Sequence, residues 1–161
     1  MVIDEKALGQ KAFELAMKYL VSFSRDPDFW ASDYNPPENA FYSFFGFYEF
    51  VCVSFASYPR PAIDEMHNCL FRQLLNSGHS KNSLSEIENT VLNSMRVCYD
   101  AFNAANSTNG SDLSADPVYR SIKELFPLLG LSQYDFQLNM LFSKNYFVSF
   151  FQDCMHLRGA Y

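Results

Sequence analysis

Apolar residues recur every three or four positions along most of the chain, which is the spacing of one buried face of an α-helix. In the first such segment, Asp4 to Ser24, charged residues occupy the opposite side, which predicts an amphipathic helix. The same spacing, with residues typical of helix starts and ends, predicts five further helical segments. They begin near Glu38, Pro61, Ser83, Pro117 and Ser132.

Local signals predict where the later helices begin and bend. The sequence Ser83–Glu86 has the form of a capping box and predicts the start of the fourth helix, which runs to about Ala105. An aspartate before a proline, Asp116 and Pro117, predicts the start of the fifth helix. The sixth helix is expected to break or bend near Ser143–Asn145.

The segment 38–58 is apolar on nearly every side, which is typical of a central helix buried on all faces. A pair of strands is the alternative, because Phe, Tyr and Val favour sheets and Gly46 could mark a bend. We favour the helix, because no turn residues divide a run that is longer than a typical strand. The sequence therefore predicts one all-α domain over residues 1–161, a bundle of about six or seven helices. If 38–58 is a strand pair, the fold is α+β.

The composition indicates a folded domain outside the membrane. Of the 161 residues, 48% are hydrophobic and 19% are charged, which excludes intrinsic disorder. The apolar run from Ala40 to Tyr58 contains Glu49 and several serines, which argues against a membrane span. The N-terminus lacks the basic and apolar regions of a secretion signal, so we expect a cytoplasmic protein.

The cysteines are expected to be buried, reduced thiols and not a metal site. The four are widely spaced, and none forms a Cys-x-x-Cys pair: Cys52, Cys69, Cys98 and Cys154. His67 and His156 each lie two positions from a cysteine, and residues two apart on a helix point in nearly opposite directions. We therefore expect no metal and no cofactor.

Charge is concentrated in one part of the sequence. The net charge is -6, which argues against direct binding of nucleic acid. No Lys or Arg lies between Arg25 and Arg60, whereas five acidic residues do. In the first part of this region, acidic residues alternate with aromatic ones.

Exposed rings beside carboxylates are typical of tight protein interfaces, because rings supply buried area and charges steer a basic partner. The sequence thus predicts a binding site for a basic protein partner. It consists of Asp26, Asp28, Phe29, Trp30, Asp33, Tyr34 and Glu38. The alternative for Phe29 and Trp30 is that they pack the loop against the core.

One short segment resembles a catalytic motif. Arg72 and His79 are spaced as in the Arg-x(4–6)-His pattern of HEPN-type ribonucleases, which are all-α. The resemblance implies metal-independent RNA cleavage, with Arg72 stabilising a phosphate and His79 moving protons. The chain contains no phosphate-binding loop, nucleophile elbow or His-Glu-x-x-His motif. We expect that it is not an enzyme and rank the ribonuclease third among the functions.

In its size, acidity and acid–aromatic loop, the chain resembles bacterial toxin-immunity proteins, including those of contact-dependent growth inhibition systems. The resemblance implies that the protein binds a cognate toxin domain, often a basic nuclease, and blocks its active site in the producing cell. The runner-up is a helical scaffold or regulatory module with another basic partner.

Overall fold

All regular structure in the described part of the chain is helical. The computed structural model describes residues 4–30, 37–106 and 116–159, and no strand occurs within those ranges. Their seven α-helices are α1 (Glu5–Ser24), α2 (Glu38–Ser54), α3 (Arg60–Asn76), α4 (Lys81–Asn106), α5 (Pro117–Leu125), α6 (Phe136–Phe142) and α7 (Ser149–Leu157). A 3₁₀ turn, Phe126–Leu129, follows α5, and a π-helical segment, Ser143–Val148, joins α6 to α7. The all-α prediction is confirmed, and the strand-pair alternative for 38–58 is wrong.

Short polar side chains begin several of these helices. Asp4, Asp116 and Asp135 each accept backbone N–H groups in the first turn of α1, α5 and α6, which confirms the predicted start of α5. The start of α4 differs from the prediction. The helix begins before the expected capping box at Ser83. The Ser80 hydroxyl accepts the backbone N–H of Ser83 at 3.2 Å, so Ser80 acts as the capping residue.

Two glycines allow helices to approach each other closely in pairs. A Cβ on Gly9 of α1 would lie 2.3 Å from the carbonyl oxygen of Ala62 in α3. A Cβ on Gly46 of α2 would lie 2.4 Å from the carbonyl oxygen of Val91 in α4. Neither distance leaves room for a side chain. The bundle therefore contains two closely packed pairs, α1 with α3 and α2 with α4.

The core is built from aromatic rings around α2. Phe44 of α2 stacks on Phe23 of α1 with ring centroids 4.6 Å apart, and Tyr48 stacks on Phe150 of α7 at 3.7 Å. Burial of α2 on nearly all sides confirms its predicted central position. Among the described residues, no helix combines the length and the apolar character needed to cross a bilayer.

Candidate functional site

The two aromatic residues of the predicted binding loop that the structure describes are buried. Phe29 is 8% exposed and Trp30 is 5% exposed. The Trp30 indole N–H donates to the carbonyl oxygen of Phe23 at 2.8 Å, and both rings pack against the Phe23 ring. The prediction that these two rings are exposed anchors is wrong. The chain turns back at the end of α1, where the carbonyl oxygen of Asp26 accepts the backbone N–H groups of both residues, so both rings pack against the core.

Asp26 holds this turn in place through both of its carboxylate oxygens. It is half-buried, and one carboxylate oxygen accepts the backbone N–H of Asp28 at 2.9 Å. The other oxygen accepts the hydroxyl of Tyr146, which lies in the π-helical segment. Burial raises the pKa of Tyr146, and the hydrogen bond to Asp26 raises it further. Asp26 therefore connects the end of α1 to the π-helical segment.

Two other acids of the predicted site are accessible. Asp28 and Glu38 are exposed, and neither forms an ion pair with another described residue. Asp33 and Tyr34 lie outside the described residues. Exposed carboxylates therefore stand on both sides of residues 31–36.

A hollow of about 210 Å³ lies beside Glu38, where α1, α2 and the end of α3 meet. Its walls are mostly apolar, and Phe41, Tyr42 and Met17 are half-buried there. Burial raises the pKa of Tyr42, and the charge of Glu38 raises it further. The complete lining consists of Met17, Glu38, Phe41, Tyr42, Leu70, Gln73, Leu74, Ser77 and His79.

A second hollow continues the first between α1 and α3. It measures about 480 Å³ and shares Gln73 and Ser77 with the first. Its remaining lining residues are Gln10, Phe13, Glu14, Cys69, Arg72 and Asn76. We call the two hollows together the α1–α3 groove.

The unpaired charges of the α1–α3 groove are acidic. Arg72 is neutralised by an ion pair with the buried carboxylate of Glu65. Glu14 is exposed, as is Glu38, and no ion pair forms at either residue within the described ranges. The groove thus combines a mostly apolar first hollow beside Glu38 with a second hollow that is lined mainly by polar side chains, where Glu14 lies.

The side chains of the ribonuclease-like motif have different partners. Arg72 lies in α3 and contacts Glu65, whereas His79 follows Gly78 beyond the end of that helix. The Nδ1 atom of His79 lies 3.1 Å from the hydroxyl of Ser83. Arg72 lines the second hollow and His79 the first. The resemblance to HEPN-type enzymes therefore stays a prediction. The positions of Arg72 and His79 give it no further support.

A buried carboxylate and an imidazole connect α2, α3 and α4. Glu49 is 1% exposed, and its Oε1 lies 2.9 Å from Nδ1 of His67. The other ring nitrogen of His67 lies 3.7 Å from Glu88, and the ring packs against Phe71. His67 is half-buried, at the boundary of the core. The sequence did not reveal Glu49 as its partner, although a glutamate inside an apolar run is the signal that marks it.

The cysteines are free thiols with different degrees of burial. Cys52, Cys98 and Cys154 are buried as predicted, but Cys69 is half-buried because it faces the second hollow. Within residues 4–30, 37–106 and 116–159, no three His, Cys, Asp or Glu side chains are placed to hold a metal ion.

Comparisons with family models, with curated proteins and with solved structures found no match to this chain.

Proposed function

We propose that this chain is a protein-binding protein of the immunity type, which neutralises a basic toxin domain by covering its active site. The observation that carries the proposal is the α1–α3 groove, where the mostly apolar walls of the first hollow lie beside the exposed carboxylate of Glu38. A second exposed carboxylate, Glu14, lies in the more polar second hollow, and neither carboxylate has an ion pair among the described residues. Interfaces of high affinity are commonly built from such a concave, partly aromatic surface with charges at its edge.

Lysine and arginine side chains fit this combination. Their aliphatic stems can lie on Phe41, Tyr42 and Met17 while their charged ends reach Glu38. A ring face also attracts a cation directly. Glu14 offers a second carboxylate farther along the groove.

The charge of the whole chain supports a basic partner. With a net charge of -6, the protein attracts cationic surfaces over long distances and speeds their encounter. A nuclease active site is cationic because it binds phosphates, so carboxylates placed over it compete with the nucleic acid. A basic regulatory partner would use the same groove, and only loss of toxicity distinguishes the two cases.

The test is protection of growing cells against a candidate toxin. The product of the adjacent reading frame in the source genome is expressed alone and together with this chain. We expect the toxin to stop growth, the chain to restore it, and the two proteins to elute as one complex. The variants Glu38→Lys and Tyr42→Ala are expected to lose most of this protection, because they remove the charge and the ring of the first hollow.

The control is Glu124→Lys, which reverses an exposed acid on α5 outside the groove. It should protect as well as the parent. The proposal fails if the adjacent product is not toxic, or if all three variants protect equally although they fold. Binding without any effect on toxicity would favour the regulatory module.

A further inference from the structure

Two of the buried thiols face each other across the core. The Sγ atoms of Cys52 in α2 and Cys154 in α7 lie 3.8 Å apart, although the residues are 102 positions apart in the sequence. Both side chains are fully buried. Cys69 instead contacts Glu65 and Arg72, and Cys98 contacts the backbone of Ser121, so neither belongs to this pair.

We propose that Cys52 and Cys154 are a redox-sensitive pair, which a low-molecular-weight disulfide such as oxidised glutathione converts into an internal disulfide. A disulfide needs the two sulfurs to approach to about 2.0 Å. From 3.8 Å, a small movement of the two side chains closes this gap. The disulfide would link α7 covalently to α2.

The surrounding contacts hold α7 in the position that this reaction needs. The Tyr58 hydroxyl donates to the carbonyl oxygen of Cys154 at 2.7 Å. The Arg158 guanidinium donates to the carbonyl oxygen of Ala56 at 2.6 Å. Both bonds join α7 to the chain that follows α2, so the two sulfurs face each other in a fixed arrangement.

The reaction is two successive thiol–disulfide exchanges. In the first, one cysteine loses its proton, attacks the reagent disulfide and releases one reagent thiol, which leaves a mixed disulfide. In the second, the other cysteine loses its proton and attacks the mixed disulfide, which releases the second reagent thiol. Overall, two S–H bonds of the protein are replaced by one S–S bond. The two protons and two electrons end on the two reagent thiols.

Burial makes this oxidation slow in the closed protein. Desolvation raises the pKa of the Cys52 thiol well above its ordinary value, and the reagent has no access to either sulfur. Since α7 has only nine residues and lies near the C-terminal end of the described chain, local opening of this helix gives access without global unfolding. The rate therefore depends on how firmly Tyr58 and Arg158 hold α7.

The test uses the full chain, oxidised glutathione and mass spectrometry without reduction. We expect loss of two hydrogen masses, a cross-linked peptide containing Cys52 and Cys154, and reversal by dithiothreitol. Closing so long a loop should raise the melting temperature by on the order of 5 to 10 °C. Cys69→Ser should behave like the parent, whereas Cys52→Ala and Cys154→Ala should show no such increase.

The rate of oxidation by glutathione provides a second readout, which does not depend on cysteine variants. Tyr58→Phe should oxidise faster than the parent, because it loses the bond to the Cys154 carbonyl. Tyr99→Phe, at an exposed tyrosine of α4, should not. The proposal is overturned if the cross-link involves another cysteine, if only mixed disulfides with glutathione form, or if oxidation occurs no faster than global unfolding.

Discussion

At the scale of single residues, the contact between Glu49 and His67 makes the stability of the fold depend on pH near neutrality. Burial raises the pKa of Glu49, and the bond from His67 opposes that effect only in part. For His67, burial alone would lower the pKa, but the hydrogen bond and charge of Glu49, with a contribution from Glu88, raise it overall. Both groups therefore bind protons more tightly in the folded state than in the unfolded chain.

The stability should consequently fall as the pH rises. The contribution of His67 is complete below its unfolded pKa of about 6.5 and is lost as the pH passes its raised folded value. The contribution of Glu49 to stability also falls as the pH rises, but at lower pH, because burial disfavours deprotonation of its carboxyl group. We expect the free energy of unfolding, measured with urea, to decrease between about pH 6 and pH 8. His67→Gln should flatten this decrease, and His79→Gln should leave it intact. An unchanged slope in His67→Gln would contradict this assignment.

Trp30 provides a second prediction at the residue scale. Because its ring is buried and bonded to the Phe23 carbonyl, Trp30→Ala should destabilise the fold by about 3 kcal/mol. Chemical denaturation measures this cost. Tyr134→Ala is the matched control, since Tyr134 is 80% exposed and should lose little stability. A Trp30→Ala variant as stable as the parent would show that the ring does not belong to the core.

At the scale of helices, the contact of α2 with α4 depends on Gly46. An alanine there would gain about 1 kcal/mol of helix propensity. Its Cβ would collide with the Val91 carbonyl, which belongs to rigid helix backbone. We expect Gly46→Ala to reduce the free energy of unfolding by about 2 kcal/mol. Ser85→Ala, at an exposed position of α4, should change it by less than about 0.5 kcal/mol. A stabilised Gly46→Ala variant would mean that α4 lies farther from α2.

The helices could be predicted from the sequence because their apolar faces and caps are local signals. The start of α4 was misplaced because Ser80 and Ser83 are both good capping residues, and only the three-dimensional turn decides between them. The π-helical segment was predicted only as a bend near Ser143–Asn145. The segment carries the buried ring of Tyr146, whose hydroxyl donates to Asp26, and no local pattern reveals a contact between residues 120 positions apart.

At the scale of the whole molecule, the candidate groove shares only Glu38 with the binding loop that the sequence predicts. Carboxylates beside aromatic rings do form a surface, and Glu38 belongs to it. The rings are Phe41 and Tyr42, however, and not Phe29 and Trp30, which turn inward. No local pattern could have shown this, because the groove exists only where the three consecutive helices α1, α2 and α3 pack against one another.

The central claim is that the carboxylates of the α1–α3 groove guide a basic partner into place. The most direct measurement is the association rate of the purified adjacent gene product with this chain at low and high salt, followed by stopped-flow fluorescence. The double variant Glu14→Lys, Glu38→Lys should associate on the order of tenfold more slowly at low salt and lose most of the salt dependence. The double variant Glu86→Lys, Glu124→Lys changes the net charge equally but outside the groove, and should stay much closer to the parent. Equal slowing by both double variants, or by neither, would contradict the claim.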